Sequence, residues 1–123
     1  MILKIATTAA VMLAFVGTAS AQQPTTEQKM TGVAAWARLV GNTVTGRVSG
    51  ADYTDYYLAN GTVKSLEDSK LSTGKWTLEG LSVCFAPPRR CYAIEVVGDV
   101  ATFTPPTGAA FRVNILQGNA KNL

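Results

Sequence analysis

Tyr53-Thr54-Asp55-Tyr56-Tyr57-Leu58-Ala59-Asn60-Gly61-Thr62-Val63-Lys64-Ser65-Leu66 reads as a β-hairpin. Two runs rich in aromatic and β-branched residues meet at Asn60-Gly61, the dipeptide best suited to the positive φ angles of a tight turn. The same grammar continues on either side. Upstream, Val44 and Val48 alternate with Thr43, Thr45 and Arg47 in a strand over Thr43–Val48. Downstream, the polar stretch Glu67–Gly74 predicts a loop. Lys75–Leu78 and Leu81–Phe85 are then separated by Glu79-Gly80, either a hairpin turn or a bulge in one long strand. Cys91–Val97 and Val100–Thr104 flank Gly98-Asp99, Pro105-Pro106-Thr107-Gly108 predicts a loop, and Phe111, Val113 and Ile115 alternate in a last strand. Such a succession of short strands joined by turn dipeptides has no βαβ spacing, so a parallel sheet is not expected. The fold class is mainly β: a small antiparallel β-barrel, a meander lipocalin-like in style, since closure removes the exposed edges that a meander would otherwise carry. The alternative is a β-sandwich.

One helix precedes the strands. Thr25-Thr26-Glu27-Gln28 has the spacing of a capping box, in which each side chain satisfies an orphan amide of the other. Met30, Val33, Ala37 and Val40 recur at helical spacing, widened by Ala34 and Trp36, and Gly41 offers a left-handed stop. An amphipathic helix is predicted at about residues 26–40, packing its stripe on the core, after a short polar lead at Gln22-Gln23-Pro24.

Residues 1–21 are a different object. Lys4 precedes an apolar run from Ile5 to Val16, and Thr18-Ala19-Ser20-Ala21 ends it in the small-residue pattern of a secretory cleavage site. The run is shorter than the roughly 20 residues that span a bilayer. Residues 1–21 are therefore expected to be a signal peptide and 22–123 a single β-rich domain, periplasmic or secreted, with no stable membrane span once the signal is removed. Loss of Lys4 takes the net charge from +3 to +2. That is too small and scattered a bias for a nucleic-acid partner.

In an oxidising space Cys84 and Cys91 are expected to form a disulfide. Val83 and Phe85 share one strand face and Cys84 the other, while Tyr92, Ile94 and Val96 oppose Cys91, so the bridge is expected on the outer face across neighbouring strands. Closing so short a loop contributes about 2.5 kcal/mol by chain entropy. A redox role would want Cys-x-x-Cys at a helix start, which is absent.

The 123-residue chain has no histidine. That excludes a His-dependent triad, a His-ligated metal site and a c-type haem attachment sequence. Elbow, acylation, phosphate-loop and dinucleotide motifs are missing, and Asp52-x-x-Asp55 lacks the pattern of a calcium loop. The carboxylates, Asp55 among them, read as solvated turn and strand-edge groups. No catalytic residue, metal ligand or cofactor is assigned.

The binding candidates are aromatic and basic. Tyr53 and Tyr57 share a strand face, and with Trp76 they either line a barrel mouth as a stacking surface or belong to the core. Pro87-Pro88 is expected to push Arg89 and Arg90 to a loop tip, where they either grip an anion or are simply solvated.

Taken as an ordered set, Gly41-Asn42-Thr43-Val44-x-Gly46, Tyr57 with Asn60-Gly61-Thr62, Gly74-x-Trp76, Cys84, Cys91-Tyr92 and Gly118-Asn119 resemble a group of small exported proteins of alphaproteobacteria. The resemblance spans nearly all of residues 22–123. It implies a periplasmic setting and a shared β fold, and brings no catalytic or binding residue with it. The proline usual after the last Gly-Asn is Ala120 here. A looser similarity, in size, single disulfide and Gly-x-Trp, is to small lipocalin-like bacterial inhibitors of secreted metalloproteases.

The leading expectation is a non-enzymatic binding or envelope-accessory domain whose partner is an unknown small ligand or envelope protein. One alternative is a protease inhibitor that reaches into a cleft with its N-terminal segment. The weakest is a His-independent hydrolase or lyase using Tyr57 and Asp55.

Overall fold

The computed structural model describes residues 28–123. The signal segment, its cleavage site, the polar lead and Thr25–Glu27 of the capping box lie outside them. The elements are β1 Met30–Thr31, α1 Gly32–Leu39, β2 Thr43–Val48, β3 Ala51–Tyr57, β4 Thr62–Glu67, β5 Lys70–Glu79, β6 Ser82–Ala86, β7 Arg90–Val97, β8 Val100–Thr104 and β9 Phe111–Leu116. From β2 to β9 each strand pairs antiparallel with the next, and β9 returns to β2 through Thr43↔Leu116, Val44↔Ile115 and Thr45↔Asn114. Among the described residues this makes a closed 8-strand barrel with one extra strand and one short helix, not a sandwich. None of the described helical residues forms a helix long and apolar enough to cross a membrane.

The helix is shorter than its periodicity predicts. Met30 and Thr31 leave the helical register and pair with Val96 and Glu95 of β7. The cause lies in β6, whose last partner on β7 is Ala93, so the backbone groups beyond it would be an open edge. β1 fills that vacancy. The chain then turns into α1 at Gly32, whose φ of +58° suits a residue without a Cβ and where a Cβ would sit 3.1 Å from Leu81 Cδ2.

The second departure is β5. Its first half falls in the predicted loop, because Asp68 and Ser69, with φ of 45° and 68°, make a two-residue turn and Lys70 already pairs with Glu67. The inward positions there are Ser72 and Gly74, which line a cavity instead of core, so the alternating apolar signal is lost. Glu79↔Ser82 pairing shows Gly80-Leu81 to be a hairpin turn and not a bulge. Asn60-Gly61 does reverse the chain, within a longer loop from Leu58.

One pole of the barrel is plugged. Trp36 is 1% exposed, with ring centroids 4.6 Å from Tyr57, 5.1 Å from Trp76 and 6.0 Å from Phe85. Its Nε1 has no partner among the described residues, so the indole acts through packing alone. Arg38 ties the helix to the β7–β8 turn, donating to the Gly98 carbonyl at 3.1 Å and pairing with Asp99 at 3.3 Å. The tail is latched to the same pole. Asn42 Oδ1 accepts from Gly118 N at 2.9 Å, and Thr43 Oγ1 donates to the Gly118 carbonyl at 2.7 Å while accepting from Ala120 N at 3.0 Å. The Gly-Asn-Thr and Gly-Asn motifs of the sequence are thus the two halves of one clasp. Gly74-x-Trp76 is also structural: a Cβ at Gly74 would sit 3.0 Å from the Ala86 carbonyl, and Trp76 Nε1 donates to the Leu58 carbonyl at 2.8 Å.

Cys84 and Cys91 are directly opposed partners of β6 and β7, bonded to each other with Cα atoms 4.0 Å apart. They lie on the face away from Val83, Phe85, Tyr92 and Ile94, as strand parity requires, but that face is not open to solvent at Cys84, which is 4% exposed.

Because Trp36 contributes no hydrogen bond, Trp36→Phe is expected to cost well under half of what Trp36→Ala costs, the latter about 3–5 kcal/mol. Urea unfolding of the two variants measures the difference, and equal losses would mean that the indole N–H matters after all.

Candidate functional site

The inner faces of β3 to β9 are apolar near the helix and change character toward the other end. There the side chains stop short of filling the barrel and leave a cavity of about 360 Å³. An eight-stranded barrel is wide enough to be filled by side chains or to hold one small ligand, and this one does the first at one pole and leaves room for the second at the other.

The walls are aromatic. Phe103 and Phe111 stack with centroids 5.4 Å apart, and Tyr92 meets both edge-on at 5.9 and 5.6 Å. Phe85, 6.0 Å from Tyr92 and 5.8 Å from Tyr57, links this group to the plug. The rim carries Val48, Glu67, Pro87, Pro88 and Arg90, and Ser72 lines the wall directly beside Ser65.

The floor is polar. Residues 53, 55 and 57 point inward from one face of β3, so Asp55 enters the barrel between two tyrosines and is 3% exposed. Its Oδ2 accepts from the Tyr53 and Tyr57 hydroxyls, the latter at 3.1 Å, and its Oδ1 accepts from Ser65 Oγ at 2.5 Å. None of the ion pairs among the described residues includes Asp55; they are Lys29–Glu95, Arg38–Asp99, Arg47–Asp52 and Arg89–Glu79. Burial holds Asp55 above the usual carboxylate range, although the three hydroxyl donors pull it back. Burial likewise holds Tyr53 and Tyr57 well above the ordinary phenol value, with the Asp55 charge adding to the rise, so both stay protonated donors at neutral pH.

This corrects the expectation that Asp55 is a solvated strand-edge group. The parity that aligns Tyr53 with Tyr57 also contains Asp55, and its burial follows from the same rule.

The predicted binding residues divide. Tyr53 and Arg90 line the cavity. Tyr57, fully buried, and Trp76 belong to the plug, so they do not form a stacking surface at the mouth. Arg89 and Arg90 do not act as a pair at a loop tip. Arg90 is a strand residue opposite Phe85 and shares its inward face, whereas Arg89 turns outward to Glu79 at 2.7 Å. Asp55, Ser65 and the walls of Phe85, Tyr92, Phe103 and Phe111 complete the site, and the inward parity of each strand was the signal for them. Among the described residues, Glu79, Cys84 and Cys91 group closely enough to suggest metal ligation, but the two sulfurs are bonded to each other and offer no thiolate.

Asp55 has a sign to its pH dependence. A carboxyl raised in the folded state stabilises the fold below its unfolded pKa, and that contribution is lost as pH rises through the folded value. Relative to Asp55→Asn, the native protein should therefore gain stability as the pH falls from neutral through the raised Asp55 value, until it passes below the ordinary carboxylate range. Urea unfolding of both proteins across that interval measures this; a gap that widens the other way would show that the hydroxyl donors outweigh burial. No family model, no curated protein and no solved structure matches this chain.

Proposed function

We propose that this chain is an exported, non-enzymatic binding protein, a small β-barrel of the periplasm or cell exterior that takes a small ligand through its open pole. One observation carries the reading: Trp36 seals one end, while the other keeps a cavity of about 360 Å³ with aromatic walls and a polar floor. That is the usual construction of a ligand pocket, mostly apolar with a few placed polar groups. The signal-like residues 1–21, the Cys84–Cys91 bridge and the resemblance to small exported alphaproteobacterial proteins support the compartment. An envelope-accessory role fits the same site if the ligand is presented by a larger assembly.

A hydrolase or lyase remains the second reading because a carboxyl raised by burial facing a cavity is a common feature of catalytic sites. Any turnover found in the purified protein should vanish in Asp55→Asn under that reading, and turnover that survives would remove Asp55 from candidacy.

Binding is tested by native mass spectrometry of protein purified from its own source. The expected spectrum shows a chain starting at Gln22, two hydrogens lighter than its reduced form, carrying an additional small mass. Ser72→Trp places an indole in the cavity and should lose that mass with an unchanged far-ultraviolet circular dichroism spectrum. A retained mass in Ser72→Trp would place the ligand elsewhere.

A further inference from the structure

The hydrogen atoms on the cavity floor are already committed. Tyr53, Tyr57 and Ser65 each have a single O–H, and all three point at Asp55. What the floor offers a ligand is therefore lone pairs: the unused one on Asp55 and those on the Tyr53 and Ser65 oxygens. A carboxylate or phosphate would meet only acceptors there, so the group that fits must donate.

Charge narrows the class further. Hydroxyl donors orient the Asp55 carboxylate without neutralising it, and no basic side chain among the described residues pairs with it. A buried charge lacking its counter-ion is expensive, and a cation placed there would relieve the cost. The walls of the same cavity include Phe103, Phe111 and Tyr92, and an aromatic wall takes apolar groups and, over an open ring face, a cation. The volume is at the lower end for ligand pockets. Glu67, Arg90 and Lys75 also border the cavity, all three exposed to solvent, where salt screens them more than it screens the floor.

We infer that the ligand is a compact organic cation, an ammonium head on an aromatic or branched apolar body, with the head received by Asp55 and the body held against Tyr92, Phe103 and Phe111. This rests on the binding reading above and specifies its chemistry. The ammonium supplies the donors and the charge that the floor lacks. Binding then needs Asp55 ionised and weakens in acid. The titratable groups facing Asp55 are Tyr53 and Tyr57 on its own strand, Glu67 on β4 and Tyr92 across the cavity, while β2 contributes Val44 and Gly46. Glu67 is thus the other carboxylate that must be controlled for.

The test is calorimetric titration of the oxidised, exported protein with three probes of similar body: phenethylamine, 2-phenylethanol and 3-phenylpropionate. At about pH 7.5 phenethylamine should bind at least about tenfold more tightly than the other two. That preference should fall to near one in Asp55→Asn and persist in Glu67→Gln. In Glu67→Gln, lowering the pH to about 4.5 should weaken phenethylamine and leave 2-phenylethanol unchanged, which decides the matter even if Asp55→Asn fails to fold. Tightest binding of 3-phenylpropionate, or a preference retained in folded Asp55→Asn, overturns the cation assignment and leaves the binding barrel standing. Failure of all three probes at about 5 millimolar overturns the cation assignment, and a protein that also carries no retained mass overturns both readings.

Discussion

Trp36 and the closure of the barrel around it set the terms for everything else in this molecule. Eight strands enclose a space that side chains alone can fill, and a single indole from α1, wedged against Tyr57, Trp76 and Phe85, fills it at one pole. Those contacts anchor the helix, and the helix in turn holds Arg38 to the β7–β8 turn and Asn42 to the tail. Among the described residues no comparable insert enters from the other end. The division into a packed half and a hollow half is thus a consequence of where one large side chain was placed.

The hollow half carries a cost that the packed half avoids. Asp55 is buried with hydroxyl partners only, an arrangement that satisfies geometry but leaves charge uncompensated. Replacing it with an apolar residue would be the simpler way to stabilise a core. A polar group kept in such a place marks the part of the structure shaped by something other than folding. The neighbouring aromatics have the same double character, since Phe103 is core while Phe111 is only partly buried and continues the stack into open space.

Much of this was legible in the residues. Alternation and turn dipeptides place β2, β3, β4, β7, β8 and β9 to within a residue or two, and the position of the disulfide on the outer face follows from counting parity across Cys84 and Cys91. What was not legible has physical causes. β1 exists because β6 is too short to cover β7, a tertiary need that local periodicity at Met30 and Thr31 does not encode. β5 hides as a loop because its inward residues face a cavity, where no apolar residue is required. The division of Tyr57 and Tyr53 between plug and cavity depends on how far α1 reaches into the barrel, and a strand's own pattern is silent on that. Asp55 was readable from the parity of its neighbours, but its charge suggested solvent.

The clasp at Asn42 and Thr43 has a consequence for how the molecule is wired. β1 enters and the tail from Gly118 leaves at the plugged pole, so both ends of the described chain gather there. The mouth is bounded instead by four connections, Ser49-Gly50, Asp68-Ser69, Pro87–Arg89 and the longer 105–110 segment, none of which holds the clasp together. The clasp and the mouth connections are therefore built from separate parts of the chain. A tether on either side would hold the barrel by its sealed base with the opening turned outward, and the four mouth connections could vary in length and composition without disturbing the anchorage.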